Sequence, residues 1–190
     1  WDRDGHPSAW AAPARFEFGL LDPVAGGATW IGGGHPLPEN PDDLFGDRPA
    51  PLLRRAFRLR AAPIVRARAC VVGLGVGELF VNGQRVGEDL LDPPWTHFGK
   101  RIHYAVHDIA PHLRAGENVV GIALGNGWYN PLPLKMWGHL DLRRHLTVGA
   151  PRALAIVEVE YEDGGREQVV TDGSWRWSDG PVLRDSLYLG

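Results

Sequence analysis

From Pro51 onward, apolar and polar residues alternate in short runs. Leu53, Phe57 and Leu59 alternate with Arg54 and Arg58, and Val65, Ala67, Ala69 and Val71 with Arg66, Arg68 and Cys70. Ile102, Tyr104 and Val106 alternate with Arg101 and His103. Val120, Ile122 and Leu124 share a face. Ala155, Val157, Val159 and Tyr161 alternate with Glu158 and Glu160. A period of two puts successive side chains on opposite faces of a strand, one toward a core and one toward solvent. Trp175 and Trp177 share a face of a further short strand, and Leu183 to Leu189 predicts a last one. Helical spacing is nearly absent. Asp108 to Leu113 predicts a single turn, with Asp108 as its N-cap.

The connections carry turn chemistry. In Glu78-Leu79-Phe80-Val81-Asn82-Gly83-Gln84-Arg85-Val86-Gly87, Leu79 and Val81 take one face and Glu78 and Phe80 the other. Asn-Gly favours a two-residue hairpin because both turn residues tolerate positive φ. A Leu91-Asp92-Pro93-Pro94-Trp95-Thr96 segment then leaves the sheet. Glu162-Asp163-Gly164-Gly165 predicts a second hairpin into Gln168-Val169-Val170. Short strands with turns every ten residues or so predict an all-β fold, a two-sheet sandwich of the jelly-roll kind. The irregular stretch from Gly127 to Gly149 is too long for a plain connection. It carries Trp128, Tyr129, Met136, Trp137, His139 and His145, a composition unlike that of disorder.

The first fifty residues read differently. Residues 1–22 hold a turn at Asp2-Arg3-Asp4-Gly5 and one alternating run, Ala14 to Leu20, with Phe16 and Phe18 on one face. So little strand cannot bury that face alone, so this segment reads as the tail of a preceding domain. Residues 23–50 are linker-like, rich in Gly, Pro, Asn and Asp, with Trp30-Ile31 as an apolar anchor. Residues 51–190 form the sandwich module. Gly32-Gly33-Gly34 is not a phosphate loop, since neither Gly-Lys-Ser/Thr nor a helix pattern follows.

Composition narrows the classes. Of 190 residues, 44% are hydrophobic and 23% charged, globular values. A net charge of −3 leaves no electrostatic footprint for nucleic acid. No apolar run is long enough for a transmembrane helix. The single Cys70 excludes an internal disulfide and a Cys-based zinc site, and it reads as a buried filler within a strand. The chain opens on Trp1 rather than Met, so the lack of a signal peptide carries no information on compartment. The eight Trp suit a sandwich core first and a sugar-binding surface second.

Several motifs in order resemble one family. They are Leu53-Arg54-Arg55-Ala56-Phe57, Ala67-Arg68-Ala69, Gly73-Leu74-Gly75, Phe80 to Gly87, Pro94-Trp95-Thr96, Arg101-Ile102-His103-Tyr104 and Asp108-Ile109. Gly116-Glu117-Asn118-Val119-Val120-Gly121 running into Leu124-Gly125-Asn126-Gly127-Trp128-Tyr129 is the most telling. Together, over residues 51 to 189, they resemble the N-terminal β-sandwich module of bacterial α-L-rhamnosidases, glycoside hydrolase family 78. The resemblance implies a fibronectin-like domain before the module, of which residues 1–22 are a remnant. It also implies a catalytic (α/α)6 barrel after it, absent from this chain, so that the chain is a fragment of an α-L-rhamnosidase.

Glycoside hydrolysis needs two carboxyl groups flanking the scissile bond. Asp89, Asp92, Asp108, Asp141, Glu158 and Glu160 are present, but a cap accounts for Asp108 and solvent-facing strand positions for Glu158 and Glu160, and the resemblance implies that the catalytic acids lie in the barrel. No catalytic residue is assigned. The resemblance implies instead a carbohydrate-binding accessory module for rhamnose-containing oligosaccharides or glycosides, partnered by the catalytic domain of its own parent chain. The residues it points to are Glu78, Asn82, Asn126, Trp128 and Trp95, with calcium as a candidate cofactor at Asn126 and the Pro131 carbonyl. A sugar offers hydroxyl pairs to oxygens or a hard cation and an apolar face to an aromatic ring. For Asn82 the turn-forming role outweighs a ligand role, and for Asn126 the two stand level. Two other readings stay open: a structural module buttressing the barrel without sugar affinity, and an unrelated β-sandwich interaction domain.

Overall fold

The structure, a computed structural model, describes residues 1–14, 16, 18–20, 26–133 and 135–187. Among them the strands are β1 (Ile31–Gly32), β2 (Pro51–Leu59), β3 (Ile64–Leu74), β4 (Val76–Val81), β5 (Gln84–Val86), β6 (Ala105–Asp108), β7 (Gly116–Gly125), β8 (Lys135–Met136), β9 (Leu140–Asp141), β10 (Arg152–Tyr161), β11 (Arg166–Val170) and β12 (Arg176–Asp179). One sheet runs β1-β10-β3-β6, with β11 also paired to β10. The other runs β12-β2-β7-β4-β5, and β8 and β9 form a separate ribbon. Every pairing is antiparallel. The fold is an all-β sandwich.

The alternating residues meet between the sheets. Ala67, Ala69 and Val71 of β3 and Ala153, Ala155, Val157, Val159 and Tyr161 of β10 face Leu53, Leu79, Val81, Val120, Ile122 and Leu124 of the second sheet. Small residues on β3 and β10 opposite larger ones on β4 and β7 let the two inner faces interdigitate. The Asn82-Gly83 hairpin forms as expected. Asn82 and Gly83 sit at φ 52° and 83°, the left-handed region an Asn-Gly turn accepts. The Glu162 to Gly165 turn likewise joins β10 to β11.

Some expectations shift. Val65 is exposed because Glu160 pairs with Arg66 while Tyr161 pairs with Ile64, so Val65 is the extra residue of a bulge. The expected strand around residue 104 is displaced. Ile102 and Tyr104 precede β6 and pack on an outer cluster, and Val106 is exposed. The described positions between Ala14 and Leu20 carry no strand, and Arg15 and Glu17 lie outside the described residues. Residues 183–187 carry no strand either, while Tyr188 and Leu189 lie outside. The 127–149 stretch contains the β8–β9 ribbon and a short 3-10 turn, Leu142–His145.

The outer face of the first sheet is covered in two places. Val72 and Leu74 of β3 are buried by Phe98 and Tyr129, and Leu154 and Ile156 of β10 by Ala28. Both faces of β3 and β10 are therefore apolar near this end, and the loops after β5 and β7 are anchored there. Gly33 and Gly34 lie where a side chain would strike Pro51 and the Trp177 ring. The glycine run thus serves close packing beside β2 and β12.

Candidate functional site

The hairpin residues are committed to structure. Asn82 Nδ2 donates to the His112 carbonyl at 2.8 Å and to Asn118 Oδ1 at 2.9 Å, and its Oδ1 accepts from the Val119 N–H at 2.9 Å. Asn118 is fully buried. It also accepts from the Arg114 N–H and donates to the Arg114 and Gly116 carbonyls. The turn is tied through these amides to the loop before β7, which leaves Asn82 no free donor for a ligand. Glu78 stands on the outer face of β4, 3.1 Å from Arg85 Nε. Arg85 also donates to the Gly87 and Asp89 carbonyls, bracing the chain after the hairpin.

Asn126 sits in a different kind of place. β7 ends at Gly125, and Gly127 follows at φ 48° with no room for a side chain beside the Gly75 carbonyl. The chain curls there, so that the Asn130 N–H donates to the Asn126 carbonyl at 2.9 Å. From the far end of the sequence, residues 182–185 lie alongside residues 47–50. Arg48 N–H donates to the Leu183 carbonyl and Ala50 N–H to the Val182 carbonyl, both at 2.9 Å. That path delivers Asp185 to Asn126. Asp185 Oδ2 accepts the Asn126 backbone N–H at 2.5 Å, and Oδ1 accepts from Asn126 Nδ2 at 2.6 Å. Asn126 Oδ1 in turn accepts from Asn130 Nδ2 at 2.5 Å.

The trio opens on a cleft of about 370 Å³ walled by Leu44, Phe45, Leu132 and Leu183, with Arg48 and Arg184 at its edge. Asn130 is 7% exposed, and its Oδ1 is buried without a hydrogen-bond partner. A buried acceptor left unsatisfied costs about 1–3 kcal/mol. Burial pushes the Asp185 carboxyl above its ordinary pKa, and the Asn126 hydrogen bonds pull it partly back. Arg184 pairs with Asp47 at 2.5 Å, and Arg48 donates to the Pro36 carbonyl. Phe45 is half-exposed and offers a ring face.

Trp95 and Trp128 stack on one another, ring centroids 4.7 Å apart and planes 13° from parallel. Trp128 also packs on the Val72, Leu74, Phe98 and Tyr129 cluster, so it is chiefly a packing residue. Trp95 is half-exposed beside a smaller cleft of about 160 Å³ with His97, Phe98, His145 and Thr147. Pro131 is buried, and its carbonyl accepts from Arg143 Nη1 at 2.6 Å.

The remaining carboxylates have plain roles. Ile109, not the expected Asp108, is the N-cap of the 3-10 turn Ala110–His112, although Asp108 Oδ1 accepts the Ala110 N–H at 3.0 Å, and Glu158 and Glu160 pair with Arg68 and Arg166. Asp92 is raised by burial and by Asp89, against the pull of His107 and His103. Among the described residues, the group of three or more His, Cys, Asp or Glu that could share an ion is the exposed Asp2, Asp4 and His6. Sequence reasoning pointed to Asn126. It missed Asp185, Phe45 and the acceptor of Asn130, because a pairing across 59 residues leaves no local signal.

The model of the α-L-rhamnosidase N-terminal domain family matches residues 62–190. An α-L-rhamnosidase of Formosa agariphila is 30% identical over the whole of this chain, which spans 21% of that protein. Among solved structures, an α-L-rhamnosidase from Dictyoglomus thermophilum superposes with TM-score 0.72 at 33% identity, over 90% of this chain and 18% of that one. The Streptomyces avermitilis α-L-rhamnosidase, solved in complex with L-rhamnose, gives TM-score 0.67 at 35% identity, over 74% of this chain and 13% of that one. The chain thus spans about a fifth of the length of its curated relatives.

Proposed function

The chain belongs to the α-L-rhamnosidase N-terminal domain family, and from that we propose that it is the non-catalytic, sugar-contacting module of a larger α-L-rhamnosidase. The contact is the Asn126–Asn130–Asp185 cleft. The observation that carries this reading is a cleft lined by Asn126, Asn130 and Asp185 that offers a carboxylate, two guanidinium groups and the Phe45 ring, beside the unpartnered, buried Asn130 Oδ1. A pyranose has matching parts, hydroxyl donors for the oxygens and a C–H face for the ring. Asn126 orients Asp185 and Asn130, and the half-exposed Trp95 offers a second apolar surface. The sugar is rhamnose or a rhamnose-containing glycoside, as in the L-rhamnose complex of the Streptomyces relative.

The same reading covers organisation. Two antiparallel sheets with β2, β3 and β4 alternating between them support a jelly-roll order. Trp1, Trp10, Phe16 and Phe18 are all highly exposed, which supports residues 1–22 as the tail of a fibronectin-like domain, 23–50 as a linker and 51–190 as the module. A buttressing role beside a catalytic domain is favoured by one separate feature. A groove of about 660 Å³ on the second sheet is lined by Leu90, Leu91, Val76 and Val182, with both leucines exposed.

Isothermal titration of the chain with L-rhamnose and with a rhamnosyl glycoside tests the sugar reading. Binding at a Kd near ~1 mM, about −4 kcal/mol, is expected. Asn130→Ala should weaken it about three- to tenfold, the worth of one hydrogen bond. No heat with either ligand sinks the sugar reading and leaves the buttressing one.

A further inference from the structure

The resemblance implies a calcium ion held by Asn126 and the Pro131 carbonyl, and the residues present do not fit one. Calcium takes six to eight oxygen ligands, several of them carboxylates. Asn126 Oδ1 is already accepting from Asn130 Nδ2, and both Asp185 oxygens accept from Asn126. At the Pro131 carbonyl stands a guanidinium, with Arg143 Nη1 at 2.6 Å. A second positive charge beside that carbonyl would be repelled by the first, and the half-buried setting screens the repulsion little.

We propose that Arg143 takes the place of a metal ion in this loop, so that the Asn126–Pro131 segment is organised without calcium. Three observations carry this. Pro131 is buried, and the charge-assisted bond from Arg143 satisfies its carbonyl. The 3-10 turn Leu142–His145 presents Arg143, held from its start by Asp141, whose Oδ1 accepts the Arg143 N–H at 3.1 Å. The side chain is drawn inward despite its charge. Burial pushes the guanidinium below its ordinary pKa, and the Asp141 charge opposes that fall. The cation is therefore covalently built in, delivered by the 12-residue return from Pro131 to Arg143. A carbonyl-to-guanidinium bond needs no free ion, so its occupancy is independent of calcium concentration.

The inference rests on the sugar-module reading only for its functional meaning, because its test uses calcium and stability alone. The probe is calcium chloride against a chelator, read by thermal unfolding and by calcium titration. It is applied to the chain with Asp2→Asn and Asp4→Asn, so that the exposed Asp2–Asp4–His6 group takes no ion. The expected result is no calcium heat and a Tm unchanged within ~1 °C. Arg143→Gln should lower Tm by roughly 3–8 °C and speed proteolytic cutting within the 132–140 segment several-fold. Arg143→Lys, which keeps the charge, should restore part of both. A calcium-dependent rise in Tm or micromolar calcium binding in the chain carrying Asp2→Asn and Asp4→Asn would overturn the proposal. So would an Arg143→Gln chain with unchanged Tm and unchanged cutting, or a Lys variant no better than Gln. Absence of sugar binding in a separate titration bears on the module's function and leaves this result standing.

Discussion

Replacing Asn126 by Ala probes the cleft through its best-connected side chain. The substitution removes the 2.6 Å bond to the Asp185 carboxylate, the 2.5 Å bond from Asn130 and a long 3.2 Å contact with the Asp185 carbonyl. The first has an ionised partner and contributes about 1.5–3 kcal/mol, the second about 0.5–1.5, and the third little. The expected loss is about 2–4 kcal/mol near neutral pH. In urea, with a slope of about 2–3 kcal/mol per molar for a domain of this size, the midpoint falls by about 0.7–2 M. The loss should depend on pH, and its sign follows from the Asp185 carboxyl. Burial already raises its pKa, while the Asn126 bonds hold it down by favouring the charged form. The backbone N–H bond survives in the Ala variant, but without the Asn126 side chain the pKa rises further. A carboxyl raised in the folded state binds its proton more tightly than the unfolded chain does, so stability falls as pH climbs from the unfolded value through the folded one. The deficit of Asn126→Ala is therefore largest at pH 7 and shrinks by about 1 kcal/mol near pH 4, where a neutral carboxyl replaces the anion. Urea unfolding at both pH values measures it. A deficit below about 0.5 kcal/mol, or one equal at the two pH values, would refute the view that Asn126 supports a half-buried anion.

Other outcomes follow from the same geometry. Asn118→Ala strands the Asn82 amide and three backbone groups around the Arg114–Gly116 loop, so it should cost about 3 kcal/mol, read as a drop in urea midpoint. Asp163 behaves opposite to Asp185. The Arg60 side chain, with help from the Gly165 N–H, lowers it to about 2. Its stabilisation is present above the unfolded value of 3.8 and is lost as pH falls through about 2. Asp163→Asn should flatten that acid limb in a Tm-versus-pH series, and an unchanged limb would place the sensitivity elsewhere.

The alternating runs and the two turn motifs were enough to read an all-β sandwich and to place Leu53, Ala69, Val81, Ile122 and Val157 inside. Period-two patterning and Asn-Gly chemistry are local, and the hydrophobic effect acts on them wherever the strands end up. The resemblance carried the family and pointed to Asn126. Which groups Asn126 meets was not legible. Asp185 comes from a segment whose alternation reads as a strand, yet Val182 and Leu183 bond to residues 50 and 48 beside β2 and the described residues 183–187 carry no strand. Trp95 and Trp128 were both legible as aromatics near a site. That they stack on each other, leaving one of them outward, depends on how two loops cross the outer face of β3. Pro131 and Arg143 show the same division. The sequence by itself determined most of the core strands, the two hairpins and which side chains could bind. Only the tertiary structure decided that Asn82 is spent on Asn118, that Asn130 keeps an unpaired oxygen and that a guanidinium stands at the Pro131 carbonyl. The physical reason is that hydrogen bonds are settled by distances of a few tenths of an ångström between residues far apart in the chain, a quantity no local pattern encodes.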